Sequence, residues 1–373
     1  MVPASSSIRF AFIIHPIDPK RDVSRKFPLL GKLLNERQID FFSTYFPPVY
    51  ISEITGIRSE DTGKVIKGWF VAAPYTPRRM MELPEQTVYR KIIQTGRMAE
   101  RLGAKLLGLG AFTSVVGDAG LTISRSLDIP VTTGDSYTVA VAVRAVVAAG
   151  AEMRIPVPQA TAAVVGATGA IGRVCAALLA EKVATLYLVG KDQDRTECLA
   201  KEIEASRPRA RVIPTVDLSA VRHAELVLTV TSDTHAIIRS EHLKPGCVVC
   251  DVSRPRDVSA EIAAHRKDVL VIDGGVVDVP GPVDFHFDFG FPPGKAYACM
   301  AETIALALEG RYESYTIGKE ISRQQVTEID KIASKHGFRL SGFRSFEKNI
   351  TPAQIKNIWL HAKAASQSAV AIS

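Results

Sequence analysis

Hydrophobic positions in the middle of the chain form short, near-continuous runs that alternate with helical segments. Six runs rich in Val, Leu and Ile lie at 161–166, 185–190, 211–216, 225–231, 247–252 and 269–274. Helical segments follow at least the first, second and fifth of these runs. Runs of this kind are typical of strands that are buried on both faces of a parallel sheet. The pattern therefore predicts an α/β fold with a Rossmann-type doubly wound parallel sheet over residues 156–285.

The part of the chain before this sheet has its own pattern of strands and helices. It predicts a strand at 8–16, two strands within 49–74 around a turn at 61–63, a helix over 85–103 and a buried strand over 104–112. A polar turn at 132–136 then leads into an Ala/Val-rich helix that ends at Gly150, and two prolines punctuate 154–159. We therefore expect a second α/β domain over 1–155 for the substrate. A helical C-terminal segment, 286–373, is expected to return to it.

Composition and charge narrow the class of protein. The 373 residues are 46% hydrophobic and carry a net charge of +7, which favours acidic partners but forms no basic tail or long block. We expect no nucleic-acid partner and, since no apolar run approaches about 18 residues, no transmembrane segment. The five cysteines suggest no disulfide framework, which predicts a cytoplasmic protein. Cys247 and Cys250 lie within one apolar strand, so no metal site is expected there.

The strongest local motif is "VVGATGAIGRVC" (164–175), which lies between a predicted strand and a predicted helix. Gly166 permits a sharp turn, Gly169 lets the backbone approach a pyrophosphate, and Gly172 allows close packing of helix and strand. The amides of the helix start would face the phosphates. The motif therefore predicts a dinucleotide site, whose remaining members are Thr168, Ala170 and Ile171.

The end of the next strand, "LYLVGKDQDR", bears on the choice of dinucleotide. Sites for NAD usually place an acidic residue there to bind the ribose 2′-hydroxyl. Lys191 occupies this place and Arg195 follows one turn later, and two cations suit a 2′-phosphate. NADPH is therefore the predicted cofactor, although Asp192 would be an NAD-type acid if the strand ended one residue later. Thr231, at the end of a later strand, is expected beneath the nicotinamide.

Cys299 is the candidate nucleophile. Pro292, Pro293 and Gly294 precede it, so the pattern predicts a helix that begins near Lys295. The positive end of the helix and the Lys295 cation would both favour a thiolate. A thiolate attacks a thioester carbonyl, and hydride transfer to the resulting enzyme thioester releases an aldehyde. The helix alone favours a small core cysteine over a nucleophile.

The chain resembles the long-chain acyl-[acyl-carrier-protein] reductases, which form fatty aldehydes. The resemblance spans roughly residues 10 to 340. It rests on an ordered set of stretches: "GAFTSVV" (110–116), "VTTGDSYTVA" (131–140), "VVGATGAIGRVC" (164–175), "YACMAETIALALEGRYESYTIGKEIS" (297–322) and "ASKHGF" (333–338). Four residues in two stretches are among the departures from the family pattern. Asp135, Ser136 and Tyr137 stand in place of Asn-Thr-His, and Gly294 stands in place of an arginine.

The resemblance implies an NADPH-dependent reaction in two steps, with Cys299 as the residue that takes up the acyl group. Its implied substrate is a long-chain acyl thioester of acyl carrier protein or coenzyme A, and an aldehyde-consuming partner enzyme would follow. Ser136 is a candidate for polarising the thioester carbonyl, and His286 and Tyr297 are candidates for proton transfer. Two other functions stay open: an NADP-dependent dehydrogenase of a small polar substrate without a covalent intermediate, and an NADPH-binding protein without turnover.

Overall fold

The computed structural model describes residues 9–233 and 235–370 of the chain. Fourteen α-helices lie in these residues: α1 Pro19–Lys26, α2 Pro28–Leu33, α3 Glu36–Ser43, α4 Pro77–Glu82, α5 Glu85–Arg101, α6 Phe112–Val115, α7 Leu121–Arg125, α8 Asp135–Glu152, α9 Ala170–Ala180, α10 Gln193–Ala205, α11 Ala260–His265, α12 Ala298–Glu309, α13 Arg323–His336 and α14 Pro352–Val370.

The strands in the same residues form a five-stranded, a six-stranded and two smaller sheets. Their bounds are β1 Arg9–Ile14, β2 Val49–Arg58, β3 Val65–Ala72, β4 Leu107–Leu109, β5 Val131–Thr132, β6 Thr161–Val165, β7 Thr185–Val189, β8 Arg211–Thr215, β9 Leu226–Thr229, β10 Val248–Asp251, β11 Leu270–Asp273, β12 Val276–Asp278, β13 Lys295–Tyr297, β14 Arg339–Leu340, β15 Arg344–Ser345 and β16 Lys348–Asn349.

The chain divides into two compact units, each built from two segments. The first contains the described residues up to Thr138 together with Val277–Arg339, and the second contains Val139–Val276 and the described residues from Leu340 onward. This division differs from the expected one in two ways. The first boundary falls inside α8 rather than after residue 155, and the described residues from Leu340 onward belong to the nucleotide-binding unit rather than to the first.

Contacts of the tail explain the second difference. The guanidinium of Arg154 lies 4.0 Å from the centroid of the Trp359 ring, and that of Arg256 lies 4.7 Å from the ring of Phe346. The side chain of Ile355 is buried as well. A predominantly apolar helix such as α14 is stabilised where its buried face finds a partner, and these partners all lie in the second unit.

The first unit is built on the sheet β2-β3-β1-β4-β5. Strand β1 pairs in parallel with β3 and β4, whereas β2 pairs antiparallel with β3. The helix α12 packs directly on this sheet. A Cβ at Gly108 of β4 would lie 2.2 Å from Thr303 Oγ1 of α12, so glycine is needed at that contact. The predicted start of this helix near Lys295 is wrong, because residues Lys295–Tyr297 form β13 and the helix begins at Ala298.

The second unit contains a six-stranded sheet in the order β11-β10-β9-β6-β7-β8. All five neighbouring pairs are parallel. Starting from β6, the chain builds outward through β7 and β8, returns to the other side of β6 with β9, and continues through β10 and β11. This is the doubly wound order of a Rossmann domain. The predicted fold class is therefore confirmed.

Candidate active site

The glycine turn after β6 has the local geometry that the sequence predicted. Gly166 adopts a φ of +80°, which favours glycine, and a Cβ there would lie 2.4 Å from Val230 O. A Cβ at Gly172 would lie 2.1 Å from Gly166 O, so α9 packs against the turn at backbone distance. Gly169 is the N-cap of α9 and provides no side-chain cap, and its exposed Cα leaves space for a ligand. Each glycine therefore has a separate reason to be there.

The turn lies where the order of the sheet reverses. Strands β6 and β9 are neighbours, and their following segments diverge to opposite halves of the sheet. Ligands of doubly wound proteins bind in the crevice at the carboxyl ends of two such strands. The first amides of α9, from Ala170 and Ile171, have no side-chain cap and carry the positive end of the helix dipole. Thr168 lies in the turn itself. A pyrophosphate fits these groups.

The end of β7 fits the adenosine half of NADPH. Lys191 and Arg195 are both exposed, and Lys191 Nζ lies 3.1 Å from Asp233 Oδ2. An ion pair this exposed contributes little stability and yields easily to a phosphate. Asp192 is the N-cap of α10, where its Oδ1 accepts a hydrogen bond from the Arg195 amide at 2.9 Å. Since this carboxylate is used within its own helix, Lys191 and Arg195 stay the predicted recognition groups for a 2′-phosphate.

Thr231 follows β9 as expected, but its hydroxyl is already used. Thr231 Oγ1 donates to Asp257 Oδ1 at 2.6 Å, and Ser253 Oγ donates to Asp257 Oδ2 at 2.5 Å. Thr229 also hydrogen-bonds to this fully buried carboxylate. Asp257 therefore fixes the loop after β9, and Thr231 offers a ligand its backbone and methyl group rather than its hydroxyl proton.

Cys299 lies in the first turn of α12, in the first unit, and is half-buried. The loop that follows β5 packs against it. A Cβ at Gly134, whose φ is +79°, would lie 2.3 Å from Cys299 Cα and 2.5 Å from Cys299 Cβ. The backbone of this loop is therefore in direct contact with the cysteine. The sequence placed both stretches in the candidate site, and the structure brings them together.

The thiolate that the sequence predicted is not favoured. Burial, together with the carboxyl of Asp135, raises the pKa of the Cys299 thiol to about 12, while the amide of Met300 acts in the opposite direction. The cation expected beside the sulfur is used elsewhere, because Lys295 Nζ lies 2.7 Å from Asp278 Oδ1. The helix end is present, but burial and nearby carboxyls outweigh it. Cys299 therefore rests as a thiol.

A buried carboxyl, Glu302, organises the surroundings of Cys299. Its Oε1 accepts hydrogen bonds from Thr132 Oγ1 at 2.5 Å and from Thr316 Oγ1 at 2.8 Å, and its Oε2 accepts one from the Tyr137 amide at 2.8 Å. Burial raises the pKa of Glu302, and these donors partly offset that effect. The carboxyl thus ties α12 to β5, to the start of α8 and to the segment before α13.

The other three predicted catalytic residues lie in different environments. Ser136 is fully buried, and its Oγ lies 2.8 Å from Thr316 Oγ1, so it belongs to the Glu302 network. His286 is exposed, and its ring nitrogens lie 3.2 Å from Asp284 Oδ2 and 3.0 Å from Thr55 Oγ1. Tyr297 is the N-cap residue of α12, two positions before Cys299, and its ring packs edge-on against Phe291 at 4.5 Å. Their predicted roles stay predictions.

Sequence reasoning missed two functional candidates, Asp135 and Glu302. Glu302 had a usable signal, because it is an acidic residue inside the apolar helix "ACMAETIALALE" and must find partners there. Asp135 was noticed only as a departure from a family pattern. It is buried, and burial together with the charge of Glu302 raises the pKa of its carboxyl to about 7.

Two kinds of feature are absent from residues 9–233 and 235–370. None of their helices combines the length and hydrophobicity that a membrane span requires. No three of their His, Cys, Asp or Glu side chains are grouped as ligands of a metal ion would be.

Comparison with known proteins gives relatives for the whole chain and for one domain. The family described as shikimate / quinate 5-dehydrogenase matches residues 150–273. The long-chain acyl-[acyl-carrier-protein] reductase of Synechococcus elongatus is 28% identical over 338 residues, which cover 87% of this chain and 95% of the reductase. Aminotransferase PigE of a Serratia species is 28% identical over 365 residues. That match covers 94% of this chain but only 42% of PigE, so the chain spans less than half the length of that relative.

Solved structures with a similar fold include two dehydrogenases. The quinate dehydrogenase of Corynebacterium glutamicum, in complex with NAD, is 13% identical over 88% of this chain and 98% of its own, with a TM-score of 0.36. The L-tryptophan dehydrogenase of Nostoc punctiforme is 10% identical over 95% of this chain and 88% of its own, with a TM-score of 0.40. From the sequence matches, residues 150–273 are similar to the shikimate / quinate 5-dehydrogenases, and the chain along most of its length is similar to a long-chain acyl-[acyl-carrier-protein] reductase, as its motifs predicted.

Proposed function

We propose that this protein reduces long-chain fatty acyl thioesters to fatty aldehydes with NADPH, through a thioester on Cys299. One observation carries the proposal. In a chain related to an acyl-[acyl-carrier-protein] reductase over 95% of that protein, a half-buried cysteine sits at a helix start in backbone contact with Gly134. A cysteine with only a packing role needs neither the partial exposure nor the polar network around it.

The chemistry has two steps at one sulfur atom. Cys299 Sγ attacks the thioester carbonyl, a new C–S bond forms, the bond to the carrier breaks, and the proton of Cys299 leaves with the carrier thiol. NADPH, when bound, supplies a hydride. As the carbonyl carbon is reduced, the bond to Cys299 breaks, the sulfur takes up a proton from solvent and the aldehyde departs.

The first unit is the proposed holder of the acyl chain, in a largely apolar tunnel, and the Rossmann domain is the proposed holder of NADPH. A net charge of +7 suits the acidic carrier protein, and coenzyme A presents the same type of thioester with its own phosphates. An enzyme that consumes aldehydes is the proposed downstream partner.

Intact mass spectrometry tests the covalent step. The protein is incubated with palmitoyl-coenzyme A in the absence of NADPH, and we expect one added acyl group that disappears when NADPH is supplied, with release of hexadecanal. Cys299→Ala is expected to abolish both adduct and aldehyde. Cys198→Ala is the matched control, because Cys198 is an exposed free cysteine in the second unit. Undiminished aldehyde formation by Cys299→Ala would rule out the covalent mechanism.

A second function is favoured by the family match of residues 150–273. In that case the protein is an NADP-dependent dehydrogenase of a small polar substrate and forms no covalent intermediate. It would oxidise NADPH with a polar ketone but would give no acyl adduct on Cys299 and no aldehyde. NADPH binding with no oxidation in either assay would instead identify a nucleotide-binding protein without turnover.

A further inference from the structure

Cys299 rests as a thiol, so the proposed reaction needs a group that removes its proton. The sulfur is a thiol in its buried setting, yet only a thiolate attacks a thioester efficiently. Its proton therefore has to be taken up as the C–S bond forms. A group that performs this transfer has to lie beside the sulfur, within the packed environment of α12.

We propose that Asp135 is the catalytic base of Cys299. Its carboxylate takes the thiol proton as Sγ attacks the thioester carbonyl and passes that proton to the thiolate of the departing carrier. This inference rests on the proposed function, because it concerns the first step of the same reaction.

The position of Asp135 follows from the loop that holds it. Gly134 is in backbone contact with Cys299, and Asp135 is the next residue, at the first position of α8. Its side chain is buried, and it directly follows the glycine whose backbone contacts Cys299. The electrostatic interaction between the two groups is the largest charge effect on the thiol. A carboxyl in this location has no ion-pair partner among the described residues that would hold it permanently ionised.

Glu302 is the other carboxyl near the sulfur, but its oxygens already accept structural hydrogen bonds. Three donors, from Thr132, Thr316 and Tyr137, occupy its two oxygens. Protonation of Glu302 would break part of this network, whereas Asp135 can gain and lose a proton without doing so. Glu302 is thus a positioning residue, which holds the loop of Gly134 and Asp135 against α12.

Other titratable groups are poorly placed for the transfer. The charges that act on Cys299 come from Asp135 and Glu302, and the charge that acts on Asp135 comes from Glu302. Lys295 is paired with Asp278, and His286 is exposed and lies against Asp284 and Thr55. Asp135 combines proximity with a carboxyl that has fewer hydrogen-bond donors than the carboxyl of Glu302.

The ionisation of Asp135 suits the role. Burial and the charge of Glu302 raise its pKa to about 7. A group with such a pKa exists in both protonation states near neutrality, so it can accept a proton from one sulfur and donate it to another. The proton balance closes: Cys299 loses one proton, the carrier thiol gains one, and Asp135 ends the step ionised as it began.

The pH dependence of acylation in the unmodified protein is the first test. Palmitoyl-coenzyme A is mixed with the protein without NADPH, and the rate of adduct formation is followed by intact mass spectrometry between pH 5.5 and 9.5. We expect the rate to fall about tenfold per pH unit well below 7 and to level off above it. A rate that keeps rising tenfold per unit through pH 9 would mean that the thiol ionises directly, and would overturn the role of Asp135.

Substitution of Asp135 is the second test. Asp135→Asn is expected to slow acylation about 100-fold or more at pH 8 and to abolish the levelling near pH 7. If Asp135 acted only through its charge, its removal would lower the pKa of Cys299 and speed acylation, so an unchanged or faster rate contradicts the proposal. Asp128→Asn, at an exposed position, is the control and should behave as the unmodified protein does. Complete absence of acylation in the unmodified protein would instead defeat the proposed function itself.

Discussion

Three side chains of the first unit, Cys299, Asp135 and Glu302, determine one another's protonation. Each is pushed toward its neutral form by burial, and each negative charge in the group opposes the next. Hydrogen bonds stabilise the charge of Glu302 most directly, which leaves Asp135 and Cys299 as the pair that exchanges protons. One consequence of these protonation states is a pH dependence of the free energy of unfolding.

The buried carboxyl of Asp135 should make the protein less stable as the pH rises. Its pKa is 3.8 in the unfolded chain and about 7 in the folded one, so between pH 4 and 7 the unfolded state loses the proton first and stability falls. Above pH 7 the full penalty remains, and below pH 4 it is absent. Asp135→Asn should therefore raise the free energy of unfolding at pH 8 by a few kcal/mol, at about 1.4 kcal/mol per pKa unit, and hardly at pH 4.

Urea unfolding of Asp135→Asn and of the unmodified protein at pH 4.5, 6 and 8 measures this difference in the free energy of unfolding. Asp128→Asn should show no comparable trend. A difference between Asp135→Asn and the unmodified protein that is flat with pH would show that the carboxyl is ionised throughout.

Gly134 is expected to tolerate no other residue because its backbone contacts Cys299. Gly294 of the same unit is a control without such a contact. Both Gly134 and Gly294 have a positive φ, +79° and +78°, but a Cβ would meet Cys299 Cα at 2.3 Å in the first case and nothing within 4 Å in the second. Gly294→Ala should cost about 1–2 kcal/mol, for the left-handed backbone alone. Gly134→Ala should cost about 1–3 kcal/mol more and displace the loop from the cysteine.

Thermal unfolding and the acylation rate of Cys299 compare the two glycine variants. The expected result is a large loss of acylation in Gly134→Ala and little loss in Gly294→Ala. Equal effects in the two variants would mean that the contact with Cys299 does not matter.

At the scale of elements, the strands of the second unit were predictable and the surroundings of the cysteine were not. Runs such as 161–166 and 247–252 agree with β6 and β10 to within a residue at each end, because buried parallel strands need continuous apolar side chains. The position of Cys299 at a helix start was also predictable, and its role as nucleophile stays a prediction. The ionisation of Cys299 was not predictable, since it depends on burial and on the carboxyls of Asp135 and Glu302, and Glu302 binds the amide of Tyr137, 165 residues away in sequence. Burial and partners of that kind follow from packing that local patterns do not specify.

The chain from the end of β7 into the first turn of α10 is expected to select NADPH over NADH. Lys191 and Arg195 are exposed near the end of β7, while Asp192 is occupied as the cap of α10. A phosphate held by two cations should gain about 1.5–3 kcal/mol from each charge-assisted hydrogen bond. Lys191→Ala and Arg195→Ala should each lower the preference for NADPH by about 10- to 100-fold.

Dissociation constants for NADPH and NADH measure that preference directly. Lys182→Ala provides the matched control, because Lys182 is equally exposed but lies just before β7, at the opposite end of the strand. The 2′-phosphate must be recognised elsewhere if Lys191→Ala and Arg195→Ala retain the full preference.

At the scale of the whole molecule, the chain alternates between the two units. It leaves the first unit inside α8, returns near β12, and joins the second unit again at Leu340. The nucleotide-binding unit therefore includes the C-terminal tail, which lies outside the matched family segment of residues 150–273. The tail therefore adds contacts to the second unit from outside the segment that matches the family. Its contribution should appear as stability of the second unit alone.

Ile355 of α14 is the position at which this can be tested. Its side chain is buried, and Ala362, two turns later on the same face, lies close to Gly246, whose Cβ would be 3.4 Å from the Ala362 methyl. Ile355→Ala should cost about 2–4 kcal/mol, from lost burial and the cavity that remains. Leu360→Ala, on the exposed side of the same helix, should cost less than about 0.5 kcal/mol.

Hydrogen exchange locates the effect. Peptides from β9 and β10 of the second unit should exchange faster in Ile355→Ala than in the unmodified protein, while peptides from β1 and β4 of the first unit should keep their protection. This pattern is expected because a local loss of packing lowers the opening free energy of the cooperative unit to which the residue belongs. Faster exchange confined to β1 and β4 would assign the tail to the first unit, which is the arrangement that the sequence alone predicted.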